Sequence, residues 1–158
     1  MILKYEFYIA GKPEQVWKAL VSPDGTKKIF NGSVIESIFK VGSPFKYVGP
    51  GIGGPDTVHE YGKILAFDPP RVFSHTYKVG EVYGPEHAEY ESRVTYELEP
   101  LYSSTRLIVT HDHWAAGDPA YDYAEKHWWK ILSAIKTLVE TGRTLDVRNA
   151  ERVTSGGA

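Results

Sequence analysis

Apolar positions in residues 119–142, PAYDYAEKHWWKILSAIKTLVETG, recur at three- and four-residue steps: Tyr121, Ala124, Trp128, Ile131, Ile135 and Leu138. Leu132 and Val139 widen the stripe, while Lys126, Lys130, Lys136 and Glu140 fall away from it. This pattern predicts one long amphipathic helix, capped by Asp118, opened by Pro119 and stopped by Gly142. A helix of roughly 22 residues spans about 33 Å, enough to cross a whole sheet. It must lie on a large apolar surface, and the shape of that surface decides what the protein can do.

Most of the remaining chain alternates with period two. Residues 2–10 read as a strand. Pro13 opens a short helix, PEQVWKAL, with Val16, Trp17 and Leu20 inward, and Ser22-Pro23-Asp24 opens a second that ends at Asn31-Gly32. SVIESIFK, PFKYV, TVHEYGKILAF, RVFSHTYKV, EYESRVTYELE and STRLIVTHDHW follow as strands. GPGIGGPD (49–56) reads as a hairpin connection and Asp68-Pro69-Pro70 as a turn. GPGIGG lacks the Gly-Lys-Ser/Thr ending of a phosphate loop. Short links between successive strands imply an antiparallel meander rather than βαβ units. The expected class is α+β: a curved antiparallel sheet of about 6–7 strands around a long C-terminal helix, with two short helices after strand 1. A curved sheet and a straight helix do not close perfectly, and the gap is a natural cavity. Residues 1–145 are expected to form this domain and 146–158 a polar, frayed tail.

Charge and composition remove several classes. A net charge of −2 gives no electrostatic reason to expect nucleic acid or an anionic membrane. No apolar run approaches the roughly 18 residues a membrane span needs. The N-terminus lacks the basic-then-apolar order of a signal peptide, and zero cysteines suit a reducing compartment, so a cytoplasmic location is expected. Aromatics are the unusual component, at 13% with 4 Trp and 11 Tyr. Large rings fill cores and also line pockets for flat apolar ligands.

With these elements in hand, the chain resembles the helix-grip fold of the START, Bet v 1 and polyketide-cyclase superfamily. More narrowly, it is similar to bacterial proteins related to the C-terminal domain of the activator of Hsp90 ATPase. The matching stretches, within residues 3–143, are PEQVWKAL with SPDGTKKIF, VGSPFKY, Gly62 with ILAFDPPRVFSHTY, STRLIVTH, and WWKILSAIKTLVETG. Two departures bear on a pocket: Ile29 stands where relatives commonly have Trp, and His127 where a Gly often precedes the helix Trp. The resemblance implies a fold and a cavity more firmly than an activity. It implies an Hsp90-type chaperone partner only by weak analogy, because co-chaperones of this type carry a further N-terminal domain and this chain begins at the helix-grip strand.

Strand alternation nominates the cavity wall. Val109, His111 and His113 share one face of the last strand, and Phe73, His75 and Tyr77 share one face of the DPPR strand. Tyr96 reads inward between them, Phe45 and Tyr47 close another wall, and Trp128 and Leu132 face them from the helix. Two imidazoles could polarise a carbonyl or hold a metal, but no third ligand has a local spacing, so neither a metal nor a cofactor is expected. The segment GEVYGPEHAEY offers Tyr83 and His87 as parts of a lid. Binding of a small hydrophobic or amphipathic molecule is the expected function. The alternatives are a cyclase- or hydratase-type enzyme with His75, His111 or His113 as base and Tyr77 or Tyr96 orienting an enolate, and a chaperone-interaction module. A homodimer is left open.

Overall fold

The computed structural model describes residues 1–148, and its first elements follow the proline punctuation of the chain. After strand β1 (Leu3–Ile9), Pro13 opens helix α1 (Pro13–Val21) and Pro23 opens helix α2 (Pro23–Ile29). Ser22 ends one helix and starts the next: its backbone N–H donates to the Lys18 carbonyl, and its hydroxyl accepts the Gly25 N–H at 2.9 Å. Val16, Trp17 and Leu20 are buried beneath them, as the apolar spacing predicts, and Ile29 is buried with them.

Six further strands follow: β2 (Val34–Ser37), β3 (Pro44–Gly51), β4 (Gly54–Asp68), β5 (Val72–Val79), β6 (Ser92–Pro100) and β7 (Thr105–Asp112). The long helix α3 (Tyr121–Thr141) closes the fold. All neighbours in the seven-stranded sheet are antiparallel, in the order β1-β7-β6-β5-β4-β3-β2. The architecture is the helix-grip form of the α+β class.

Boundaries differ from the sequence reading where local backbone geometry intervenes. SVIESIFK pairs only over Val34–Ser37, because Phe39 turns to φ 56° and leaves the ladder. The 49–56 connection is tighter than expected, since β3 and β4 pair as far as Gly51 and Gly54. Helix α3 starts two residues after Pro119: the Asp118 carboxylate accepts the Ala120 N–H, and the Asp118 carbonyl accepts that of Tyr121. Gly142, at φ 75°, ends the helix as expected. Of the tail expected at 146–158, residues 149–158 lie outside the described residues.

The pairing register fixes which side chains share the concave face, because directly opposed residues point to the same side. Leu3, Tyr5, Ile9, Leu107, Val109, His111, Val94, Tyr96, Leu98, Phe73 and His75 meet there as one buried layer. Helix α3 lies along one side of this layer. Tyr5 donates to the Glu125 carbonyl at 2.7 Å and packs edge-on against Trp129, while Glu140 accepts the Ala10 N–H at 2.7 Å. Near the helix C-terminus, Leu132 and Ile135 are fully buried. The helix is therefore held along β1, and the other flank of the sheet, β3–β5, curves away from its N-terminal half.

Candidate functional site

That divergence leaves a cavity of about 610 Å³. Its walls are the end of α2 (Ile29, Phe30) with Ser33, the inward residues of β3–β5, the segment 81–87, and α3 from its start to Ile131. A recess of about 30 Å³ continues beneath it between Tyr96, His111 and Trp128. Exposed Asn31, Pro50, Tyr123 and Lys130 form the rim.

The residues nominated from sequence divide into three groups. Tyr47 and Tyr77 line the main chamber, and Tyr96, His111 and Trp128 line the recess, as does Tyr77. Phe45, Phe73, His75, Val109 and Leu132 are buried in the layer behind and reach neither space. Phe45 covers Gly62, where an added Cβ would meet its ring at 2.9 Å and the Thr76 carbonyl at 2.4 Å. His113 is a correction: it is exposed and away from the cavity. Strand β7 ends at Asp112 and His113 takes φ 60°, which breaks the alternation that placed it beside His111.

The two buried imidazoles are held neutral. His111 accepts the Trp128 Nε1–H at its Nδ1 (3.1 Å), so Nε2 carries the proton and donates to the Ser92 hydroxyl at 2.8 Å. Burial, with a smaller contribution from His75, depresses its pKa to about 3. With both nitrogens committed, His111 has no lone pair for a substrate proton. His75 donates from Nδ1 to the Thr76 carbonyl at 2.7 Å, and its Nε2 is buried without a partner among the described residues. Burial takes its pKa to about 4.

The group that sequence reading missed is Glu60. It opposes Tyr47 on one side and Val79 on the other, so it points into the chamber with them. What surface it keeps faces the cavity, and burial pushes its carboxyl up to about 8. Among the described residues no cation pairs with it and no hydrogen bond reaches it. The Tyr47, Tyr77 and Tyr96 hydroxyls are raised well above their ordinary value, first by burial and then by neighbouring groups that include Glu60. A usable signal was present: counting back from buried Ile64 in steps of two gives Gly62 and Glu60.

The lid expectation lands on the chamber. Residues 81–87 form two single 3₁₀ turns, Glu81–Tyr83 and Pro85–His87, that bring Tyr83 and His87 to its wall. The Tyr83 hydroxyl donates to His59 Nδ1 at 2.5 Å, and His59 Nε2–H donates to the Pro50 carbonyl at 3.0 Å, tying the segment to the β3–β4 hairpin. Both departures noted in the sequence, Ile29 and His127, also line the chamber. Burial, and then Lys130, lower the His127 pKa to about 4. Among the described residues no three His, Asp or Glu side chains are grouped to hold a metal ion, and no helix is long and apolar enough to cross a membrane.

Comparison with known proteins agrees with this architecture. The family model described as Activator of Hsp90 ATPase homolog 1-like protein matches residues 10–140. Among solved structures, a protein from Mesorhizobium loti superposes with a TM-score of 0.71 at 22% identity, covering 87% of this chain and 96% of that one. The Aha1 dimer from Colwellia psychrerythraea gives 0.66 at 21%, covering 90% and 98%. An HSP90 activator from Plasmodium falciparum gives 0.69 at 19%, covering 87% and 95%. At these identities the structural matches establish the fold alone. No curated protein matches the chain in sequence. The family match spans nearly all the elements described above, and the chain belongs to the activator of Hsp90 ATPase homolog 1-like family.

Proposed function

We propose that this protein binds a small hydrophobic or amphipathic molecule in the chamber between β3–β5 and the N-terminal half of α3. The supporting observation is the chamber itself: about 610 Å³ of space walled by Phe30, Tyr47, Tyr77, Val79 and Ile131, within the size range of small-molecule sites. Of the residues nominated from sequence, Tyr47 and Tyr77 would touch the ligand first, and Tyr96, His111 and Trp128 would meet whatever part enters the recess. The histidine-based enzyme reading finds no support in this geometry, because His111 is doubly hydrogen-bonded, His75 reaches neither the chamber nor the recess, and His113 is outside. A cytoplasmic location suits the absence of cysteine.

Titration with the neutral fluorescent amine N-phenyl-1-naphthylamine should show saturable one-to-one binding. Val79→Trp, which grows a half-buried chamber wall into the space, should weaken it about tenfold with the melting temperature nearly unchanged. Equal binding by both proteins would place the dye elsewhere and remove the proposal.

A second reading, contact with an Hsp90-type chaperone, is supported by the family description and by the likeness to the Plasmodium falciparum activator. It predicts stimulation of a chaperone's ATPase by the purified protein. No stimulation at tens of micromolar would sink it.

A further inference from the structure

We propose that the chamber selects a lipophilic organic cation, an amine or quaternary ammonium carried on an apolar body, with Glu60 as its counter-charge. The inference rests on the binding reading above and names the ligand class.

Glu60 is the anomaly that calls for such a guest. A half-buried carboxyl set among aromatic and aliphatic walls is poorly hydrated, and it is an expensive residue to place there without a cation or a donor. Here the protein supplies neither: no Lys or Arg pairs with it among the described residues. The groups that face the same space come from every element packed around it. From β3, β5 and β6 come the Tyr47, Tyr77 and Tyr96 phenols, all kept protonated by burial. From β7 comes His111, held neutral by Ser92 and Trp128. The turn segment contributes Tyr83 and His87, with His59 bonded between Tyr83 and Pro50. Helix α3 contributes Tyr123, His127 and, at the exposed rim, Lys130.

The walls suit a positive guest for a second reason. Phe30, Tyr47, Tyr77 and Tyr123 surround the acid, and ring faces attract a desolvated cation through their quadrupoles. An anionic ligand would meet the ionised form of the same carboxyl as a repulsive neighbour. A neutral apolar ligand would fill the space and leave Glu60 as unpaired as before. A positive guest satisfies both the rings and, once it has displaced the carboxyl proton, the acid.

The sign of the pH dependence follows. In the empty protein Glu60 holds a proton near neutrality, and a cation must displace it. Affinity for a guest of fixed charge therefore rises by up to tenfold per pH unit and levels off above about pH 8. His127 at the wall, lowered by burial and then Lys130 to about 4, stays neutral through this range and does not oppose the guest.

Calorimetric titration of the full chain with benzyltrimethylammonium, beside its uncharged carbon isostere neopentylbenzene, tests this. At pH 8.5 the cation should bind at least tenfold more tightly than the isostere, and the preference should shrink towards pH 6. Glu60→Gln should lose the preference for the cation over the isostere; Glu60→Asp should keep part of it. Circular dichroism and thermal melts of both variants confirm folding. If the cation binds no better than neopentylbenzene, the inference is overturned and the chamber reading stands. If neither probe binds, both fall.

Discussion

Trp128→Ala should lower the unfolding free energy by about 3–5 kcal/mol in denaturant melts, among the largest effects of any single substitution in this chain. The indole is 6% exposed and packs against Tyr5, Tyr96 and His111. Truncation leaves a cavity next to the existing recess and also strips the donor from His111 Nδ1. Trp128→Phe separates these contributions: it keeps most of the packing and should cost about 1–3 kcal/mol for the buried acceptor left unpaired. A loss under 1 kcal/mol for the alanine variant would mean that α3 presents a different face to the sheet. A small loss accompanied by abolished dye binding would instead assign the ring to the chamber rather than to the core.

Stability should peak near pH 6.5 and fall on both sides, for separate reasons. His75 and His111 are neutral in the fold, with pKa values near 4 and 3, while the unfolded chain takes up protons on both near 6.5. Their contribution is fully present above pH 6.5 and is lost as pH falls through the window down to about 4 and 3. At pH 4.5 each costs roughly 2–3 kcal/mol. Glu60 acts in the opposite sense: the fold holds its proton up to about pH 8, whereas the unfolded chain releases it near 4.5. Its contribution is present below pH 4.5 and disappears as pH rises to about 8. Between pH 4.5 and 6.5 the two histidines, with His127 adding in the same sense, outweigh one carboxyl, so stability climbs by roughly 2–4 kcal/mol; from there to pH 8.5 it drops by roughly 1 kcal/mol. Urea melts at pH 4.5, 6.5 and 8.5 read both limbs. Glu60→Gln should remove the alkaline limb and steepen the acid one. A variant with the parent's alkaline slope would show that Glu60 is hydrated in the native protein.

These two expectations rest on residues that were unequally legible. His75, His111 and Trp128 follow from simple periodicity: two steps along a strand, or three and four along a helix, put them inward, and they are inward. His113 obeys the same rule on paper, yet a left-handed backbone at the strand end turns it out. Strand alternation carries no notice of where pairing stops. Glu60 is the reverse case. Its parity with Ile64 makes it an inward residue, but a carboxylate there contradicts the polar-out expectation, and the intervening Gly62 hides the pattern. Lys130 reads as a solvent position on the helix and does face water, but it does so at the rim of the chamber, as does Tyr123.

The chain's own periodicities, proline openings and glycine stops determined the element order, the antiparallel meander and the inward stripe of the final helix, because each depends on residues within a turn or two of one another. Only the tertiary structure decided where the helix sits on the sheet. It is anchored along β1 by Tyr5, Ala10 and Glu140, contacts that link residues more than a hundred positions apart. That off-centre anchoring opens the chamber on the β3–β5 flank and leaves Glu60 facing it. No local pattern encodes the distance between two surfaces, so the space between them had to be read from the fold.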